Sequence, residues 1–231
     1  MFAWLTPDEW EAVRLSLRVA GLSVLCGLPL AVLAALVIAR GRFPGRALLD
    51  AAVHLPLVLP PVVVGWGLLM LLGVRGPVGA LLQDWFGVRL VFTTGGAALA
   101  TGVMAFPLMV RAVRLSLEGV DTKLEAAART LGAGRLDRFL TVTLPLMAPG
   151  ILSGAVVAFA AGLGEFGAVI TFASSIPGQT QTLPLAIYAA TQVPGGETTA
   201  AKLSLVSFTL AILGLLLSDL VGRRMLRLLG R

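Results

Sequence analysis

At 231 residues, 57% of them hydrophobic and only 13% charged, this chain carries about half the charge of an ordinary soluble domain, which excludes a globular cytosolic fold. A mean hydropathy of +0.93 and room for one small bundle point to a multi-span membrane protein. The formal net charge of +6 would suit nucleic acid, but in a membrane protein an arginine excess is first a topology signal, and nucleic acid is set aside as a partner.

The opening MFAWLTPDEWEAV carries acids where a signal peptide would carry a basic region, so no cleaved leader is expected. Five apolar segments then approach the ~20 residues needed to cross a bilayer, and each must be helical to satisfy its backbone in lipid. They run over about 13–39, 47–72, 94–117, 145–172 and 203–222. The first holds the lone cysteine, Cys26, expected as a buried small hydrophobe, and places Arg14 and Arg18 on one face of its outer end. The second holds the only histidine, His54, expected as a hydrogen-bonded packing residue, and Pro56, Pro60 and Pro61, which bend it. With one histidine and one cysteine in different spans, no metal-ligand cluster or acid–base constellation is legible. Arg111 and Arg114 close the third span, where they either attract an anion or snorkel to headgroups.

In the fourth span Glu165 stands among glycines in GLGEFGA, near the outer boundary by helix length. An acid inside a span is a functional candidate by default, and the role expected here is structural, pairing with an arginine or with backbone N–H groups. The connection 173–202 includes a short apolar piece, Leu183 to Thr191, too short to span ~30 Å and expected to be interfacial or re-entrant, with Thr182 as N-cap and Pro184 in the first turn. Asp219 is expected beside Arg223, one turn on.

Loop charges orient the bundle. Arg40, Arg42 and Arg46 crowd the first connection, and Arg111, Arg114, Lys123, Arg129, Arg135 and Arg138 surround the third. Arg223, Arg224, Arg227 and Arg231 end the chain, while the second and fourth connections hold only Arg75, Arg89 and Lys202. With five spans these groups fall on opposite sides, which predicts a cytoplasmic C-terminus and an external N-terminus.

The third connection, about 120–144, is the longest stretch with a soluble pattern. Thr122-Lys-Leu-Glu125 fits a capping box, Leu124, Ala128 and Leu131 share a face, and Gly132-Ala-Gly134 ends the helix. A second short helix with Leu136, Phe139 and Leu140 follows until Pro145. This predicts a helix–turn–helix on the cytoplasmic surface, either a plain connector or a docking element.

The stretch EAAARTLGAGRLDRFLTVTLPL resembles the EAA loop of permease subunits of bacterial ABC importers, with Ala127, Gly132, Val142, Leu144 and Pro145 in register. Glu125 departs by one position, since the acidic place falls on Ala126. FPGRALLDAAVHLPLVLPPVVVG, FPLMVRAVRLSLEGVDTKLEAAARTLGAG and GLGEFGAVITF, with GQTQTLPLAIY and VPGGE, narrow the resemblance to the molybdate permease family.

The resemblance implies an all-α integral membrane protein of the type I importer permease fold: five transmembrane helices, one domain over 1–231, and a cytoplasmic coupling loop. It implies a bacterial inner-membrane subunit that pairs with a second copy, with ATP-binding subunits below and an extracytoplasmic molybdate-binding protein above. Glu125, Ala126, Ala127, Ala128, Leu131 and Gly132 would face the ATPase, with Val142, Leu144 and Pro145 framing the loop. His54, Pro56, Pro60, Pro61, Gly164, Glu165, Phe166 and Gly167 become pathway or gate candidates. The chain has no G-x-x-x-x-G-K-[ST] and only two lysines, Lys123 and Lys202, so no cofactor is expected here and ATP would bind the partner. Sulfate or tungstate permeases remain the near alternatives. An ion-coupled transporter is disfavoured by the scarcity of intramembrane carboxylates.

Overall fold

The computed structural model describes residues 4–228, with side chains except those of 218, 219 and 221–228; the expected Asp219–Arg223 pair lies outside the described side chains. Among the described residues all regular structure is helical. Helix α1 (Pro7–Arg40) starts six residues before the expected span because Thr6 and Glu9 form a reciprocal cap: the Thr6 N–H donates to Glu9 Oε2 at 2.8 Å and the Glu9 N–H to Thr6 Oγ1 at 3.3 Å. Pro29 is carried inside α1 without ending it.

The expected second span is two helices, not one bent rod. α2 (Arg46–Val58) and α3 (Pro61–Leu72) meet at 117°. Pro61 excludes the helical region for Pro60, which sits at ψ 136°, and neither proline offers an N–H, so the ladder stops at Leu59. Each piece, at ~1.5 Å per residue, reaches less than the ~30 Å of hydrocarbon. Pro56, by contrast, sits within α2 and breaks nothing. The second connection forms a helix of its own, α4 (Pro77–Phe86).

α5 (Thr94–Glu118) runs beside α1 at the centre of the bundle. The third connection is α6 (Thr122–Thr130), α7 (Arg135–Arg138) and a π-helical turn at Phe139–Thr143, which leads without interruption into α8 (Leu144–Leu163). Pro145 falls at the start of α8 as expected, although the helix runs through it from the π-turn without a break. The expected fourth span is also broken: α8 ends at Leu163, and α9 (Gly167–Ala173) follows after Gly164 to Phe166. α10 (Leu183–Thr191) and α11 (Glu197–Leu228) complete the chain.

Small residues set the spacing of the central helices. A Cβ added to Gly150 of α8 would lie 2.7 Å from the Ala112 carbonyl oxygen of α5, and one added to Gly154 would lie 3.1 Å from Ala112 Cβ. Gly162 comes within 2.9 Å of Thr101 Cγ2 in the same sense. These glycines let α8 approach α5 more closely than any side chain would permit, which supplies packing where lipid offers no hydrophobic drive. Around this seam the inner core joins Ala31, Ala35, Ile38, Met109, Val113 and Met147. The outer core joins Leu15, Val19, Ala97, Val169, Phe172 and Leu185.

α10 packs its first turn into the protein. Leu183 and Leu185 are fully buried, and the Leu183 N–H donates to Ser16 Oγ of α1 at 2.6 Å. Thr182 takes the N-cap position as expected, but its hydroxyl makes no capping bond. Cys26 is exposed on the single chain rather than buried, lining an apolar groove with Leu22, Leu30, Val53 and Phe106.

Ion pairs and hydrogen bonds separate the connections by end. Arg40, closing α1, meets Glu125 of α6, while Glu9 lies 3.8 Å from Lys202 and Thr94 Oγ1 donates to the Gln179 carbonyl at 2.7 Å at the opposite end. The connections rich in arginine thus share one end of the bundle.

Candidate functional site

The two broken helices face each other. A Cβ on Gly65 of α3 would lie 2.7 Å from the Ala168 carbonyl oxygen of α9, and one on Gly167 would lie 2.7 Å from Pro61 Cβ. Pro60, Pro61, Gly164, Glu165, Phe166 and Gly167, chosen from two distant stretches of sequence, therefore belong to one apposition of helix breaks. Irregular backbone at membrane depth is tolerated where protein buries it or where it lines a water-filled cavity.

Glu165 belongs to the break itself. Its Oε1 accepts the Ala168 N–H at 2.9 Å, so the carboxylate caps α9 by the backbone route, and no arginine pairs with it among the described residues. Phe166 packs edge-on against Tyr188 of α10, ring centroids 5.3 Å apart, tying the break to the outer connection. Ser174 ends α9 at φ +62°, an uncommon conformation for a residue with a Cβ, and the Thr180 hydroxyl bonds back to the Ser174 carbonyl at 3.0 Å.

His54 and Pro56 do not join this apposition. His54 Nδ1 lies 2.8 Å from the Asp50 carbonyl oxygen and 3.2 Å from Asp50 Oδ1. A carbonyl only accepts, so Nδ1 is the donor of this pair. Asp50 Oδ2 accepts from Arg114 Nη1 at 3.0 Å, and Arg114 Nε donates to Glu118 Oε1 at 2.8 Å. Arg114 thus ties α2 to α5. Arg111 has no ion-pair or hydrogen-bond partner among the described residues, and with His54, Asp50, Arg114 and Glu118 it lines a cavity of about 630 Å³. The clustering of Asp50 with these residues was missed by the sequence reading, although Asp50 and His54 are one helical turn apart.

The cytoplasmic loop departs from expectation at its first residue. Asp121, not Thr122, is the N-cap, its side chain accepting the Lys123 N–H at 2.9 Å. Glu125 then stands one position too far along to reach back, and the capping box does not form. Instead Arg40 Nη1 donates to Glu125 Oε2 at 3.0 Å, Arg40 Nη2 donates to Oε1, and the Thr143 hydroxyl donates to Oε1 at 2.6 Å. Burial acts to raise the Glu125 carboxyl, but the Arg40 guanidinium, the Thr143 hydroxyl and Arg138 outweigh it and hold the group below the usual glutamate range.

The rest of α6 looks outward. Ala126, Ala127 and Gly132 are exposed and Ala128 is half-buried. Gly132 takes φ +86°, the left-handed conformation expected at the helix end. Leu131 is 88% exposed and Leu136 70%, so the helix–turn–helix presents an apolar tip flanked by Arg129 and Arg135. Leu144 is half-buried against the inner core, Val142 is half-buried in the π-turn, and Pro145 is exposed.

Residues 27–227 match the family described as binding-protein-dependent transport system inner membrane component. Over 219 residues the chain is 58% identical to the molybdenum transport system permease protein ModB of Escherichia coli strain K12, covering 95% of this chain and 96% of that protein. It is 51% identical over 223 residues to the protein of the same name from Haemophilus influenzae, covering 96% and 97%. Among solved structures, a chain of the bacterial alginate ABC transporter, in complex with an alginate pentasaccharide-bound periplasmic protein, superposes with a TM-score of 0.76 at 20% identity, over 96% of this chain and 81% of that one.

Proposed function

The chain belongs to the family of binding-protein-dependent transport system inner membrane components, and from that premise we propose that it is the permease subunit of an ATP-driven molybdate importer of the bacterial inner membrane. The observation that carries this reading is the likeness to molybdenum permeases along nearly the whole chain. It takes in both helix breaks and the cytoplasmic loop.

The working unit is two copies of this chain with two ATP-binding subunits. Nucleotide binds those subunits, since this chain has no phosphate-binding loop, and the chain itself performs no chemistry. The exposed face of Ala126, Ala127, Leu131 and Gly132 docks on the ATP-binding subunit, and the arginine-rich connections therefore lie in the cytoplasm. The opposite end receives the binding protein. The apposed breaks at Pro60–Pro61 and Gly164–Phe166 border the pathway, where paired half-helices can tilt without unravelling a full span.

No span gathers a dense cluster of arginines, so the pathway binds the oxyanion weakly and selectivity rests with the external protein. Sulfate and molybdate are both tetrahedral dianions, and a conduit of this kind separates them little. The test is uptake of labelled molybdate by a bacterial strain lacking its own molybdate permease. Expression of this chain with its ATP-binding subunit and binding protein restores uptake at submicromolar molybdate. Failure to restore it while the three proteins assemble would count against the substrate.

A further inference from the structure

α6 buries none of its residues, so apolar packing does not fix it to the bundle. Its polar contacts within the loop are local: Asp121 to Lys123 and Thr130 to the Ala127 carbonyl. Among the described residues, the side-chain bonds that reach from α6 to the rest of the protein all converge on Glu125. That carboxylate is 17% exposed, while Leu124, Ala126 and Ala127 beside it face solvent.

Its two partners lie on different membrane helices. Arg40 is the last residue of α1, whose other end carries the Glu9 that faces Lys202 of α11. Thr143 is buried at the end of the π-turn that opens α8, and α8 ends at the break capped by Glu165. One carboxylate thus joins a surface helix to two spans at a single point. A π-turn widens the helix by one residue per turn, and here that extra residue lies in the stretch ending at Thr143. The one-position offset of Glu125 turns its side chain toward the spans and away from the outward face that Ala126 and Ala127 occupy.

We infer that Glu125 is a positioning residue, a latch that carries movement of the cytoplasmic loop simultaneously into α1 and α8. This rests on the importer reading above, because the movement is supplied by the ATP-binding subunit. Rigid transmission needs a charged, two-oxygen acceptor: one arginine fork and one hydroxyl occupy it together, and a single amide oxygen would serve neither geometry fully.

The test uses the assembled importer in lipid nanodiscs with its binding protein, comparing wild type with Arg40→Ala, Thr143→Val and the double exchange Arg40→Glu/Glu125→Arg. In Arg40→Ala the ATP-binding subunit co-purifies in the wild-type amount, but stimulation of hydrolysis by molybdate-loaded binding protein falls at least fivefold. Thr143→Val loses two- to threefold, and the exchange recovers more than half of the loss seen in Arg40→Ala. Stimulation in Arg40→Ala equal to wild type overturns the latch, as does an exchange no better than Arg40→Ala. Loss of co-purification in Arg40→Ala also overturns it, since the pair would then be holding the docking face. A wild-type chain that binds no ATP-binding subunit removes the importer premise itself, and the latch with it.

Discussion

Gly65 of α3 and Ala168 of α9 stand so close that a Cβ on the glycine would meet the alanine carbonyl oxygen at 2.7 Å. Backbone cannot retreat as a flexible side chain can, so this contact fixes how the two half-helices pair. Gly65→Ala overpacks it at a cost of ~1–3 kcal/mol, and Gly65→Val costs more. Uptake assays on protein matched for membrane content are expected to show partial loss for alanine and near-complete loss for valine. Gly67 has nothing within 4 Å of an added Cβ, so Gly67→Ala serves as the tolerated control.

The apolar tip of the cytoplasmic loop offers a cleaner docking test than its helical alanines. Leu131 is 88% exposed, so Leu131→Asp costs the isolated chain little. Buried against a partner, the same carboxylate would be desolvated without a counter-charge. Pull-down of the ATP-binding subunit is expected to fall tenfold or more, about 1.4 kcal/mol, with membrane insertion unchanged. Undiminished capture would make the loop a passive connector.

Orientation is read with thiols in a Cys26→Ser background, which is needed because Cys26 is itself exposed on the single chain. Val88 and Gln192, in the second and fourth connections, are exposed positions. Cysteines there are expected to react with an impermeant reagent in intact cells. A cysteine at Lys123 should react only after the membrane is opened. The reverse pattern would invert the topology.

Because Glu125 is held below the usual glutamate range, its proton is absent from both the folded and unfolded chain at neutral pH. The contribution of the Arg40–Glu125 pair is therefore full above the unfolded carboxyl value, about 4.3, and is lost as pH falls through the lower folded value. Proteolysis of the loop in nanodiscs should be flat from pH 8 to 5. In Arg40→Ala, burial is left with less opposition, and protection of the loop is expected to fail at higher pH than in wild type. Identical pH profiles would show that Arg40 does not hold the carboxylate.

The spans were legible because lipid demands long apolar helices, and the basic connections were legible because charge cannot hide. The Pro60–Pro61 break was visible as a bend, but its 117° angle was not, since it depends on α3 pairing with α9 a hundred residues later. The break at Gly164–Phe166 is not legible in an apolar run that reads as one span over 145–172; backbone N–H groups are an expected partner of Glu165, but nothing local marks the new helix that it caps. Glu125 was misread for the opposite reason. Thr122 and Glu125 have capping-box spacing, and only Arg40, 85 residues earlier, and Thr143 reveal where the carboxylate goes. Local rules failed where long-range partners decided.

Reconstitution asks whether this chain conducts molybdate under the power of a separate ATPase. The complex is placed in proteoliposomes with its cognate binding protein, and ATP-dependent uptake of labelled molybdate and sulfate is measured at equal submicromolar concentration. The expected result is ATP-dependent uptake in which molybdate exceeds sulfate by at least tenfold. That preference is expected to shift when a sulfate-specific binding protein is made to dock in place of the cognate one. Preferential sulfate uptake with the cognate partner would contradict the molybdate assignment, and uptake that proceeds without ATP would contradict the importer itself.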